Sequence, residues 1–161
     1  MDNLIRLLLR LLLVPLGYCA AAIAGSLVVV GAYLGLVGAA LSEHPDGPAY
    51  AFWGFLIGGW LVGIVVIVFT ILPASIGILI SEVFAIRSWI FHALNGVVSA
   101  WLGWQLYAAF GEVKVPLERP MILVAAGLAG GFAYWAVAGF SAGFWKPVFR
   151  RPAGVEPAIS R

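Results

Sequence analysis

Charge is scarce in this chain. Aspartate, glutamate, lysine and arginine make up 10% of its 161 residues, against 63% hydrophobic residues, whereas soluble domains carry roughly one-quarter charged residues. An ordinary soluble domain is therefore excluded. Cys19 is the only cysteine, which excludes an intrachain disulfide framework and a thiolate metal cluster. The formal charge of +2 is too small to suggest nucleic-acid binding, and the basic residues lie at the ends of apolar runs, where topology accounts for them. Catalytic signatures are missing too. There is no HExxH, no pair of aspartates within an apolar run and no phosphate-cradling loop. The only two histidines, His44 and His92, fall on opposite sides of the expected membrane and cannot share a metal. The sequence gives no reason to expect a cofactor or an enzymatic activity.

What the chain has in abundance is long apolar runs, each of about the twenty residues that a helix needs to cross the hydrocarbon. The expected fold is all-α: one polytopic membrane domain over residues 1–161 with four transmembrane helices. The spans lie at about 16–41, 50–72, 88–110 and 121–145. Polar, proline-bearing SEHPDGP (42–48) and GEVKVPLERP (111–120) are exposed turns between them. A short basic tail, 146–161, follows. The run beginning at Leu11 is too long for a signal-peptide core, and the bulky Tyr18 before Cys19 argues against a lipoprotein site. Arg6 and Arg10, one helical turn apart, suggest a short N-terminal helix lying at the interface, ended or kinked at Pro15.

The junction PASIGILISEVFAIR (73–87) is apolar enough to extend the second span to about residue 86. From Tyr50 to Arg87 that helix is about 57 Å long, too long for a straight crossing. Pro73 favours a kink, after which the chain bends, tilts strongly or continues along the surface; alternatively 50–54 is interfacial and the span starts later.

With four spans, one side holds Arg6, Arg10, Arg87, Lys146, Arg150, Arg151 and Arg161, and the other only Lys114 and Arg119. The positive-inside rule places both termini in the cytoplasm. Tyr134 and Trp135, near the middle of the fourth span, are expected to pack on another helix.

Two features are candidate sites. The first is polar: Glu82 and Arg87 at the junction, then Ser88, His92, Asn95 and Ser99 along one helical face. Arg87 is a natural topology anchor, and Glu82 a partner for Arg6, Arg10 or Arg87. His92, Asn95 and Ser99 lie about 6, 10 and 16 Å into the membrane from Ser88. Past Ser99 the same face carries Leu102, Leu106 and Phe110, so the stripe stops halfway, which suits a helix-locking or docking face better than a pore. The second is small: glycines four apart at Gly31/Gly35, Gly54/Gly58, Gly59/Gly63, Gly127/Gly131 and Gly139/Gly143. Chance gives roughly two or three such pairs, and the spacing lets helix backbones approach closely in lipid. They either pack the four helices on each other or, as at Gly127/Gly131, dock another subunit.

PASIGILISEVFAIRSWIFHALNG (73–96) and GGFAYWAVAGFSAGFW (130–145), about a quarter of the chain, resemble small four-span inner-membrane proteins of alphaproteobacteria. The resemblance implies a bacterial inner membrane and transfers no catalytic or binding residue. The expected function is that of a non-enzymatic accessory or assembly component in a larger membrane complex, with the bilayer and a membrane-protein partner or a second copy as its neighbours. The alternative is a small homo-oligomeric transporter or channel, with Glu82, Arg87, His92 and Asn95 lining a cytoplasm-facing vestibule.

Overall fold

A computed structural model describes residues 2–41, 47–110 and 120–143, with the side chains of 8–35, 48–50, 52–110 and 120–143. Four α-helices account for most of them: α1 (Asp2–Leu41), α2 (Gly47–Phe84), α3 (Trp89–Phe110) and α4 (Pro120–Val137). A short 3-10 turn, Gly139–Ser141, follows α4. There is no strand among the described residues. Two prolines sit where helices tolerate them: Pro48 in the first turn of α2 and Pro120 at the start of α4 replace donors that have no intrahelical acceptor. The remaining residues of the two expected turns, the Trp145 end of the fourth span and the basic tail lie outside the described residues.

One expected boundary moves. The N-terminal segment is not a separate interfacial helix, because α1 runs unbroken for 40 residues with Pro15 inside it. The expected extension of the second span is present as helix, since α2 continues through Pro73 to Phe84 over 38 residues. Pro73 cannot donate to the Phe69 carbonyl four residues back. Gly103 of α3 backs onto that carbonyl, so that a Cβ there would lie 3.2 Å from the oxygen.

Segments Leu8–Gly35, Pro48–Phe84 and Pro120–Val137 are long and apolar enough to cross a membrane. The 22 residues of α3 are long enough, but Trp89, Trp101, Trp104, His92, Asn95 and Gln105 lower its mean hydropathy.

Contacts between named pairs give the register. Leu34 meets Gly54, Val30 meets Gly58, and Ser26 meets Gly63, so α1 and α2 are antiparallel. Gly77 against Asn95 and Gly103 against Thr70 set α3 antiparallel to α2; Gly96 against Gly127 and Gly131 sets α4 antiparallel to α3. Gly17 beside Ala138 and Gly25 beside Ala126 bring α4 back antiparallel to α1. The helices therefore form a ring in chain order, with α1–α3 and α2–α4 as unpacked diagonals. One end, here the polar end, holds the start of α1, the end of α2, the start of α3 and the end of α4.

Candidate functional site

The polar end is built from a helix stop. At Ala85 the backbone turns left-handed, with φ 53°, and the Ile86 N–H reaches back to the Ser81 carbonyl at 2.9 Å, the bond that closes a Schellman cap. Ser88 then precedes α3, its carbonyl accepting from the His92 N–H at 3.4 Å. This tight reversal brings Glu82 and Arg87 to the end of the bundle where Arg10 of α1 also lies.

There the side chains of α1, of α2 and of the turn before α3 converge on the backbone that follows α4. Arg10 Nη1 stands 3.1 Å from Glu82 Oε1 and donates to the Ala138 carbonyl at 2.9 Å. The Gly143 N–H donates to Glu82 Oε2 at 3.0 Å, and Arg87 Nε donates to the Ala142 carbonyl at 2.9 Å. Trp135 Nε1 closes the circuit by donating to the Arg87 carbonyl at 2.9 Å. Two guanidinium groups thus serve carbonyls just past a helix C-terminus, where cations are favoured. This network corrects the expected extent of the fourth span: α4 ends at Val137 rather than near residue 145. The backbone groups beyond it find partners on other helices, and Gly143, at φ 88°, turns the chain away. It also moves Tyr134 and Trp135 from the middle of a span to its last turn. Of the three arginines considered for Glu82, Arg10 stands within ion-pair distance, and the side chain of Arg6 lies outside the described residues.

His92, at 1% exposure, is fully enclosed. Its Nε2 lies 3.2 Å from the Ile86 carbonyl, an oxygen that can only accept, so the neutral ring carries its proton on Nε2 and presents Nδ1 as an acceptor. Nδ1 has no partner among the described residues. The ring is gripped by Tyr134, at 5.3 Å between centroids, by Phe91 at 5.5 Å, and by Gly139, where a Cβ would come within 2.8 Å of it. Asn95 lies over Gly77, where any side chain would overlap its amide. Ser99 is buried, and its Oγ, like the Tyr134 hydroxyl, has no partner among the described residues. Ser88 leaves the stripe, since it lies in the turn before α3 rather than on the helix.

Above this end a cavity of about 880 Å³ runs through the middle of the ring. His92, Asn95 and Ser99 of α3, Tyr134 of α4, and Tyr18 and Thr70 line its polar parts; alanine, glycine, valine and leucine form most of the rest. Tyr18 and Thr70 face each other at 3.0 Å, with the Tyr18 hydroxyl 2.9 Å from the Ile67 carbonyl. Arg10, Glu82 and Arg87 do not line the cavity. Toward the far end its wall includes Tyr33 and Leu61, both largely exposed.

The expectation that Leu102, Leu106 and Phe110 continue the inward face does not hold. Gly96, packed on the α4 backbone, fixes which side of α3 faces in, and that side continues through Gly103 and Tyr107. Leu102 and Leu106 line a groove on the outside, beside Pro73, and Phe110 is exposed.

The glycine pairs divide. Gly127 and Gly131 pack on the backbone of Gly96, Val97, His92 and Ala93 within the same chain, not on a second subunit. Gly54, Gly58 and Gly63 make ordinary contacts with α1 at 3.7–3.8 Å, and Gly139 and Gly143 serve the polar end. Gly31, Gly35 and Gly59 face nothing within 4 Å among the described residues.

Sequence reasoning passed over Gly17, Gly77, Gly96, Gly103 and Gly130, which a four-residue spacing does not select. It also left Arg10 as one of three partners, although an arginine one turn inside an apolar run was the available signal. No family model matches the sequence, and no curated protein and no solved structure is significantly similar to it.

Proposed function

We propose that the chain is a non-enzymatic inner-membrane protein of four spans, both termini cytoplasmic, acting as an accessory or assembly component of a larger membrane complex. Support for α3 as the fourth span is its placement: His92, Ser99 and Gly103 are buried, so these positions of its face turn away from lipid. Support for the orientation is the charge bias, with Arg10 and Arg87 both at the polar end. In a bilayer the 57 Å or so of α2 exceeds the roughly 30 Å hydrocarbon, so α2 tilts, or bends at Pro73, and its last turns reach the interface.

The observation that carries the accessory reading is the open Gly31/Gly35 pair. Helix association in lipid depends on close backbone approach at small residues, and this pair meets nothing within 4 Å among the described residues. A photocrosslinking amino acid at Leu27, exposed and one turn from Gly31 on the same face, tests it in native membranes. A discrete adduct to a membrane protein or a second copy, lost in Gly31→Leu/Gly35→Leu, is expected. A strict monomer crosslinking only to lipid would overturn the reading.

The transporter alternative draws on the central cavity. In it Glu82 and Arg87 would line a cytoplasmic vestibule, yet both are engaged with the backbone after α4, and the exposed cavity wall lies toward the other end. Liposome flux unchanged by His92→Ala and Glu82→Ala would dispose of it.

A further inference from the structure

The central cavity runs past two of the helices that enclose it. Gly25 beside Ala126 puts the start of α4 level with Gly31 of α1, and Gly103 beside Thr70 puts the end of α3 level with Gly63 of α2. Yet Tyr33 and Leu34 of α1 and Gly54, Gly58 and Leu61 of α2, all beyond those levels, still line the cavity. Among the described residues it therefore has a mouth at the far end, on the inner face of the α1–α2 hairpin, where Tyr33 and Leu61 stand exposed. We propose that the cavity takes the hydrocarbon chain of a bilayer lipid, tail first, with the head left at this mouth. The inference goes beyond the accessory reading and shares with it only the membrane-embedded fold.

Width and lining select the occupant. From Gly54 to Ile78 the cavity follows α2 for about 36 Å. Its 880 Å³ then average a cross-section of about 25 Å², about a third of that of an α-helix 10 Å across. A helix from another protein or from a second copy does not fit, whereas hydrocarbon chains, which pack at about 4 Å between carbons, do. Alanine, glycine, valine and leucine form most of the wall, and an apolar cavity of about 150 Å³ already takes up benzene. Water is a poor filling, because each molecule needs several polar partners. His92 Nδ1, Ser99 Oγ and the Tyr134 hydroxyl are enclosed in the wall without reachable surface. Tyr18 and Thr70 face each other and the Ile67 and Val66 carbonyls, and the Asn95 amide lies in the α2–α3 seam over Gly77.

The same atoms set the direction. A polar or charged head carried to the closed end would be desolvated without finding a hydrogen-bond partner, whereas a methyl terminus needs none. All four neighbouring helix pairs are packed. The chain therefore stands in from the end, parallel to the helices, as the lipids of that leaflet stand outside the ring. From Arg10 to Tyr33 α1 rises about 34 Å, close to the roughly 30 Å of the hydrocarbon core. With the polar end at one interface, the mouth opens at the other, level with the head groups, and the exposed ring of Tyr33 suits that level. From Leu61 to Ala74 the cavity then gives about 20 Å of depth, enough for most of an extended acyl chain.

The test reconstitutes the full-length protein from detergent into phosphatidylcholine nanodiscs containing a trace of phosphatidylcholine with a diazirine on one chain, either at its end or beside its carboxyl group. The terminal probe is expected on Phe69 and Ala74, and the carboxyl-side probe on Tyr33 and Leu61. Leu72 and Ile76 flank Ala74 but stand exposed on the outer face of α2, so they report the surrounding lipid, whereas label on the buried Ala74 reports a chain inside. Ala100 lines the cavity level with Pro73. Ala100→Phe, by filling that space, should cut the Ala74 label about fivefold and leave Leu61, Leu72 and Ile76 labelled as before. Terminal label confined to Leu72 and Ile76, a reversed order with the carboxyl-side probe on Ala74, or an Ala74 label untouched by Ala100→Phe would each overturn the proposal. Should Ala100→Phe fail to fold, the face and order of the two labels in the parent protein decide alone. The labelling does not depend on the Leu27 crosslink, so either result can fail without the other.

Discussion

The two halves of the ring use the same residue in opposite ways. At the polar half, Gly96, Gly127 and Gly131 bring α3 and α4 backbone to backbone, Gly130 meets the Ala21 carbonyl, and Gly17 meets Ala138. At the far half, Gly31, Gly35 and Gly59 touch nothing among the described residues, and Gly54, Gly58 and Gly63 only brush α1. Lipid supplies no hydrophobic drive between helices. Where they converge is therefore decided by side-chain and backbone hydrogen bonds as well as by small residues. Arg10, Glu82, Arg87 and Trp135 tie all four helix ends together on one side. The described far half has no comparable network, and the helices part around the cavity.

Removing the tie should weaken the polar half most. Arg10→Ala leaves the Glu82 carboxylate largely enclosed without its partner, and breaking a buried pair from one side costs about 3–5 kcal/mol. Unfolding by SDS titration in mixed micelles, followed by helical circular dichroism, should show that loss. The double variant Arg10→Met/Glu82→Leu should lose less than the two single variants added together. If Arg10→Ala were no weaker than the parent, the polar half would not owe its closure to the ion pair.

Next in size is Gly131→Ala. The added methyl group would overlap the His92 carbonyl and lie 2.8 Å from Ala93 Cα, and backbone cannot rotate aside as a side chain can. A destabilisation of about 3 kcal/mol is expected in the same titration, at the upper end of ordinary overpacking. A near-neutral result would mean that α3 and α4 are not in backbone contact at this position.

Much of this was legible in the residues alone, and what was not has identifiable causes. Long apolar runs and proline-marked turns set the helix count, since the need to cross about 30 Å of hydrocarbon leaves few other solutions. The inward position of His92, Asn95 and Ser99 followed from helical periodicity. The stop at Val137 was not legible, because it depends on Arg10 and Arg87, one of them 128 residues away from the carbonyl it serves, and no local pattern encodes such a partner. The continuation of the inward face through Gly103 rather than Leu102 was equally hidden. Both residues lie close to that face on a helical wheel, and only the contact of Gly96 with α4 selects between them.

A smaller effect, of the opposite sign, tests the reversal that positions Glu82. Ala85 is held at φ 53°, where an L-residue with a Cβ is strained by about 1–2 kcal/mol. Part of that is recovered in Ala85→Gly against glycine's greater freedom when unfolded, leaving about 1 kcal/mol of stabilisation. A higher SDS midpoint with an unchanged Leu27 crosslinking pattern is the expected result; a lower midpoint would mean that Ala85 does not adopt the left-handed turn.

The smallest effect belongs to the open glycines, and it reads out what the far half is for. Gly31 lies inside α1, and a methyl group added there would find no atom within 4 Å among the described residues, so Gly31→Ala meets no clash with them. Glycine inside a helix is less favourable than alanine by about 0.5–1 kcal/mol, and the isolated protein should gain roughly that in SDS titration. The same methyl group projects into any interface formed across Gly31 and Gly35, where close backbone approach is the source of affinity. Stability in detergent and crosslinking from Leu27 in native membranes should therefore move in opposite directions: the first up, the second down. At Gly131 both fall together, because that face is already occupied. If Gly31→Ala raised stability and left the crosslink untouched, the open pair would face lipid alone, and the contrast between the halves would reflect internal packing without a partner.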